Sequence, residues 1–187
     1  MLPRALWWFR WSAAITVAAG AIYWILILNT EPPNVPGYYT VVDVIDWVIQ
    51  VGILWILFFF LLQVPFILRR GWLVGVLAAV FLLVFPQHFL THNIFPGMSS
   101  RSISIGLGGG IGLFLLLNVW LIVWPAQKRM LAWMKEHPGE ESPPELARQL
   151  RRAQLVSRAS FWLTFPLLFF MAAASHFPIF NIPLRAP

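Results

Sequence analysis

The histidines are the side chains of this sequence best suited to bind a cofactor or a metal. His88 and His92 are four residues apart in FPQHFLTHNIF, a spacing that places two imidazoles on one face of a helix. His176 follows a long apolar stretch near the C-terminus, and Arg101 has the charge to bind a carboxylate such as a haem propionate. One hypothesis is therefore a haem b site that pairs His176 with His88 or His92 and uses Arg101.

Two aspartates suggest a second hypothesis, a zinc or copper site. Asp43 and Asp46 lie in VVDVIDWVIQ, and Gln50 follows Asp46 by one helical turn. With His88 and His92 they have suitable ligand types, although no spacing fixes a geometry. The alternative is that these polar side chains only satisfy helix ends at a membrane surface. We expect no metal site and no haem bound by the chain itself, and haem b remains the alternative.

A glycine cluster opens the segment RSISIGLGGGIG, residues 101–112. Glycine destabilises a helix interior by about 1 kcal/mol relative to alanine, so several glycines in a helix need a reason. Their spacing does not match the dinucleotide-binding motif G-x-G-x-x-G. Gly106 with Gly110, and Gly108 with Gly112, instead have the spacing that lets a second helix pack closely. We predict that these four residues pack against a helix.

The composition indicates an integral membrane protein. Of 187 residues, 59% are hydrophobic and 11% are charged, whereas a soluble domain has about 25% charged residues. Cysteine is absent, which excludes disulfides, thiolate metal sites and iron–sulfur clusters. The sequence has no nucleophile elbow and no H-E-x-x-H motif. We therefore predict no catalytic residues.

Charged residues separate five apolar stretches that are long enough, or nearly so, to cross a membrane. We predict a single all-α domain, a bundle of about five transmembrane helices, with Pro86 ending the third span. The spans are 11–30, 46–68, 71–86, 102–125 and 158–177, and a basic cytoplasmic loop covers 126–157. Within this loop, Ser142 and Glu145 have the spacing of a capping box, which predicts a helix that continues into the fifth span.

Basic residues are unequally distributed between the two sides of this bundle. Eleven lie on the side of the N-terminus, and only Arg101 and Arg185 lie on the other. The positive-inside rule then predicts a cytoplasmic N-terminus and an outer C-terminus, in the inner membrane of a bacterium. The net charge of +6 therefore indicates contact with anionic lipids and no nucleic-acid partner.

Three stretches resemble the membrane domain of bacterial membrane-bound urate oxidases. They are ALWWFRWSAA, NVWLIVWPAQKRMLAW and SRASFWLTFPLLFFMAAASHFP. The resemblance covers most of residues 5–178, and its most specific part is Asn118-Val119-Trp120 followed by Pro125, Gln127 and Lys128. In that family a multi-span domain is joined to a periplasmic cytochrome c module. No C-x-x-C-H motif occurs in these residues, so the resemblance implies a short, divergent member.

The chain departs from the family pattern at the histidines. The resemblance implies a histidine where this chain has Gly106, and a His-Asn pair where it has Ala159 and Ser160, whereas His176 is retained. It also implies room beside Gly106 for a partner helix or a pigment-like ligand. We therefore predict a non-enzymatic accessory subunit of a larger membrane redox complex, in contact with other membrane subunits and lipids. The alternative is a small haem b-binding electron-transfer protein.

Overall fold

A computed structural model of the protein describes residues 2–30, 38–95 and 98–180. These residues form helices and connections without strands. The helices are α1 (Leu2–Leu28), α2 (Tyr38–Leu61), α3 (Pro65–Arg69), α4 (Trp72–His92), α5 (Ser100–Asn118), α6 (Trp124–Glu136) and α7 (Pro144–His176). Within the described ranges, five helical segments are long and apolar enough to cross a membrane. The predicted all-α, five-span class is thus confirmed, and Arg185 lies outside the described residues.

The helix that carries the glycine cluster, α5, lies at the centre of the bundle. In the span that contains α5, 56% of the apolar segment is buried, against 28% or less in the other four spans. It packs most extensively against α7 and also contacts α1, α2 and α4. The glycines are therefore in the helix that has the most neighbours, where small side chains have the largest effect on helix separation.

Three tryptophans of α1 and α2 hold α5 through their indole N–H groups. The donor–acceptor pairs are Trp24 Nε1 to Ser102 O (2.9 Å), Trp47 Nε1 to Gly106 O (2.9 Å) and Trp55 Nε1 to Asn118 Oδ1 (3.0 Å). All three indole rings are buried. Because the membrane interior offers no water to replace a lost partner, these bonds fix the position of α5 along its neighbours.

Two prolines have opposite effects on the predicted spans. Pro86 lies inside α4, which continues to His92, so the prediction that it ends the third span is wrong. Transmembrane helices tolerate an interior proline because neighbouring groups compensate for the lost hydrogen bond. Pro65 does interrupt the chain: α2 ends at Leu61, Val64 is extended (φ −70°, ψ 119°), and α3 begins at Pro65. The residue before a proline disfavours the helical conformation, so the second span ends before the predicted residue 68.

The predicted loop 126–157 is mostly helical. The helical conformation continues from α5 without a break through α6 to Glu136, and residues 137–143 connect α6 to α7. Arg129 Nη1 donates to Gln149 Oε1 at 2.7 Å, which joins α6 to α7. The sequence AQKRMLAWMKE consists mainly of good helix formers, so its polarity marks an exposed helix and not a loop. We call α6 and the first half of α7, residues 144–157, the helical hairpin.

The predicted helix that continues into the fifth span is present as α7, but its start differs from the prediction. Pro143 takes the N-cap position and no side chain caps the helix, so Ser142 is not the cap. Pro144 fits the first helical position because the N–H that it lacks would have no partner there. Glu145 lies 3.6 Å from Arg148 in an exposed ion pair.

A π-helical turn, Val119–Val123, joins α5 to α6. The amide of Trp124 donates to the carbonyl oxygen of Val119, five residues earlier. Pro125 follows directly, and a proline at this point has no N–H to donate and crowds the preceding turn. A wider turn accommodates both effects without ending the helix.

Candidate functional site

The histidines lie on the surface of the described structure. His88 and His92 share one face of α4, with ring centroids 4.3 Å apart, and both are exposed. His176, the last residue of α7, is also exposed. A bis-histidine haem requires two imidazoles on different elements around one buried plane. Two interhelical cavities lined by described residues have no histidine in their lining. These two cavities therefore do not bring the predicted haem ligands together.

The predicted metal ligands are not brought together either. Across 2–30, 38–95 and 98–180, no three His, Cys, Asp or Glu side chains lie close enough to hold a metal ion. Asp43 and Asp46 lie in the first half of α2, whereas His88 and His92 are exposed at the end of α4. The zinc or copper site that would combine them is not formed by these residues.

Asp46 belongs instead to a hydrogen-bonded cluster that joins α2 to the end of α4. Gln50 Nε2 donates to Asp46 Oδ2 at 2.5 Å and to Asn93 Oδ1 at 2.6 Å. Asn93 Nδ2 donates to the same aspartate oxygen at 3.0 Å. Gln50 and Asn93 are buried, so each needs these partners. The cluster stabilises the contact between two spans, and Asn93 was not identified from the sequence.

Two cavities form one groove bounded by α1, α5 and α7. Their volumes are about 260 Å³ and about 540 Å³. Both are lined by Thr16, Val17, Gly112 and Leu167, so the groove is continuous. We call it the α1–α7 groove. Its smaller cavity ends at Arg101, which donates to the hydroxyl oxygen of Tyr23 and whose guanidinium carbon lies 5.4 Å from the centre of the tyrosine ring.

The glycines of α5 face two different helices. A methyl group at Gly106 or Gly110 would overlap the ring of Phe89 or Phe85, both on α4. Gly108 faces α7, where an added Cβ would lie 3.5 Å from the carbonyl oxygen of Leu167. Gly106 and Gly110 thus receive aromatic rings of α4, and Gly108 allows close approach of α7. Gly112 has no such close neighbour, because a Cβ added there would make only ordinary contacts with Leu167 and Val17.

A family model described as urate oxidase N-terminal matches residues 1–183. The chain belongs to the urate oxidase N-terminal family. No curated protein and no solved structure matches it. The match extends over nearly the whole chain and confirms the resemblance found in the sequence.

In this urate oxidase N-terminal chain, the space expected beside Gly106 is filled by its own side chains. The ring of Phe89 lies against the glycine, and an added Cβ would be 3.0 Å from Trp24 Cζ2. Trp47 completes this environment by its hydrogen bond to the Gly106 carbonyl. The expected room for a partner helix or a pigment at this position is therefore not present.

The second departure from the family's histidine pattern, Ala159-Ser160, lies next to the buried side-chain amide of Asn118. Ala159 is buried, and Ser160 Oγ accepts a hydrogen bond from Asn118 Nδ2 at 3.2 Å. Asn118 also accepts from Trp55, so it joins α2, α5 and α7 in this urate oxidase N-terminal fold. From the sequence, Asn118 was singled out only as part of the family resemblance and not as an interior residue that connects helices. A single amide inside a long apolar run is the signal that points to it.

Proposed function

We propose that this urate oxidase N-terminal domain is a non-catalytic accessory subunit of a larger membrane redox complex. The observation that carries the proposal is the packing at the positions where the resemblance implies histidines. Gly106 packs against Phe89 and Trp24, and Ser160 is hydrogen-bonded to Asn118. A haem bound at these positions requires imidazole ligands, which both positions lack, and Gly106 has no free space beside it.

A bulky aromatic surface on α7 supports contact with other membrane subunits. It consists of the exposed side chains Phe161, Trp162, Phe165 and Phe169. The first three rings contact one another, with centroid separations of 5.5 to 5.7 Å. Aromatic residues are enriched at the centres of protein interfaces, although lipid also covers such surfaces. The proposed partners are therefore other membrane proteins and lipids.

The proposed location is a bacterial inner membrane with the N-terminus in the cytoplasm. The end of the bundle that carries the helical hairpin also carries Arg10, whose guanidinium lies 4.5 Å from the Trp120 ring and 4.4 Å from the Trp124 ring. Basic residues of the hairpin and Arg10 thus lie at one end of the bundle, as the positive-inside rule requires of a cytoplasmic side.

A visible absorption spectrum of the purified chain tests the proposal against its alternative. We expect no Soret band from the chain isolated after expression without its natural partners. We expect the tagged chain from its natural membranes to elute with stoichiometric polypeptides that carry redox cofactors. Stoichiometric haem in the isolated chain, lost in His176→Ala and retained in the control His137→Ala, would refute the accessory role and support the haem b-binding alternative.

A further inference from the structure

The smaller cavity, which forms the outer part of the α1–α7 groove, is about as long as one acyl chain of a bilayer leaflet. Arg101 and Gly112 both line the smaller cavity and are 11 residues apart on α5. At 1.5 Å per residue this separation is about 16 Å. Half of the hydrocarbon core of a bilayer is about 15 Å thick. The cavity therefore extends over one leaflet, and the larger cavity continues it toward the other side.

Small side chains leave the groove open. Gly20 on α1 lines the smaller cavity, and a Cβ added there would have no atom within 4 Å. Gly108, Gly109 and Gly112 line the same cavity from α5. The rest of the lining is mainly apolar and includes the rings of Trp24 and Trp47. A flexible hydrocarbon chain matches this apolar space of about 260 Å³, whereas a helix, about 10 Å across with its side chains, needs more volume over the same length.

A positive charge lies at the outer end of the groove. Arg101 is exposed and donates a hydrogen bond to the neutral hydroxyl group of Tyr23. Among the described residues no carboxylate forms an ion pair with it; the ion pair formed is that between Glu145 and Arg148. Arg101 is also the second residue of α5, where the helix dipole adds to the positive potential. Arginine binds phosphate oxygens through charge-assisted hydrogen bonds.

We propose that the α1–α7 groove binds one anionic phospholipid, with an acyl chain between α1 and α7 and the phosphate group on Arg101. The site differs from general lipid contact because it has a defined length, a floor of glycines and a charged end. It is independent of the redox role proposed above, because a lipid bound here needs neither a haem nor a partner subunit.

Two matched glycine variants test whether the groove binds the acyl chain of a lipid. Gly20→Leu places a side chain in the groove, and its Cβ would have no atom within 4 Å. Gly75→Leu is the control, because Gly75 on α4 is also exposed and also has no atom within 4 Å of an added Cβ, but it lies outside the groove. The full chain is delipidated in neutral detergent and incubated with phosphatidylglycerol, and native mass spectrometry counts the retained lipids. We expect the wild type and Gly75→Leu to retain one lipid that Gly20→Leu loses.

Substitutions of Arg101 test whether its positive charge binds the phosphate group. We expect Arg101→Gln to weaken phosphatidylglycerol retention by about tenfold or more, as for a lost hydrogen bond to a charged group, and Arg101→Lys to lose less. Saturable quenching of tryptophan fluorescence by phosphatidylglycerol with brominated acyl chains gives the affinities, because Trp24 and Trp47 line the cavity. Equal retention in the wild type and Gly20→Leu, or equal binding of phosphatidylcholine and phosphatidylglycerol, would overturn the proposal.

Discussion

Gly110→Ala tests whether aromatic packing against α5 explains the glycine cluster. The added methyl group would overlap the Phe85 ring, and even the Cε2 atom of that ring would be 2.9 Å away. Phe85 is fully buried, its ring is nearly parallel to that of Phe81 (4° between planes), and the centroid of the Phe89 ring is 6.1 Å away. The ring therefore has no free space into which it can move.

The expected magnitude follows from two opposing effects. Extra volume in a packed core costs about 1–3 kcal/mol. Alanine stabilises a helix by about 1 kcal/mol relative to glycine. The difference between the two effects predicts that Gly110→Ala lowers the free energy of unfolding by up to about 2 kcal/mol. Gly112→Ala is the matched control, because its methyl group would be 3.5 Å from Leu167 Cδ1, an ordinary contact. We expect that control to be neutral or slightly stabilising.

Reversible unfolding of the purified chain in mixed micelles, followed as the SDS fraction rises, measures both variants. A third variant, Phe85→Leu, removes the ring that the new methyl group meets. In the double variant Gly110→Ala/Phe85→Leu we expect less destabilisation than the sum of the single effects, with a coupling energy of about 0.5–3 kcal/mol. Equal stability of Gly110→Ala and Gly112→Ala, or strict additivity in the double variant, would refute the packing explanation.

Three further predictions concern α5 and the orientation of the bundle. We expect Gly108→Leu to prevent normal packing of α5 against α7, because α7 lies close to this position. The measurement is the loss of monodisperse folded protein, and wild-type folding of the variant would contradict the prediction. We expect Trp55→Phe to lower the free energy of unfolding by about 1–3 kcal/mol, because Asn118 loses a buried partner, whereas the exposed control Trp72→Phe has little effect. We expect reporter fusions at His137 and at the C-terminus to score on opposite sides of the membrane, and the same side for both would remove one span.

The number of spans could be predicted because charged residues interrupt the apolar runs. The ends of the helices could not be predicted as well, as the prolines show. Pro65 and Pro86 are both preceded by apolar residues, yet the first separates two helices and the second lies inside one. The difference depends on whether neighbouring helices stabilise the interrupted turn, and that information is not local.

Arg101, Gly108 and Gly112 were singled out from the sequence, but the groove that they line was not predicted, and the predicted histidines do not line it. The spacing of the glycines indicated close packing, but it could not show that Gly106 and Gly110 meet rings of α4 while Gly108 meets α7. The same limit applies to Arg101, whose position at the end of a groove depends on Tyr23 of α1. Residues that are far apart in sequence make these contacts, so the sequence pattern of one helix does not specify them.

The π-helical turn at Val119–Val123 sets the rotational register of α6. It adds one residue without adding a turn, and one residue corresponds to about 100° of rotation about the helix axis. The face that α6 presents to α7 is therefore rotated by about that angle from the face that an uninterrupted α-helix would present. If the same residues formed a regular α-helix, α6 would turn by about 100° and Arg129 would move away from Gln149. Deleting the exposed residue Leu121 would instead restore a regular turn and leave Arg129 facing Gln149. The face that α6 presents to α7 thus depends on how the chain accommodates a single extra residue.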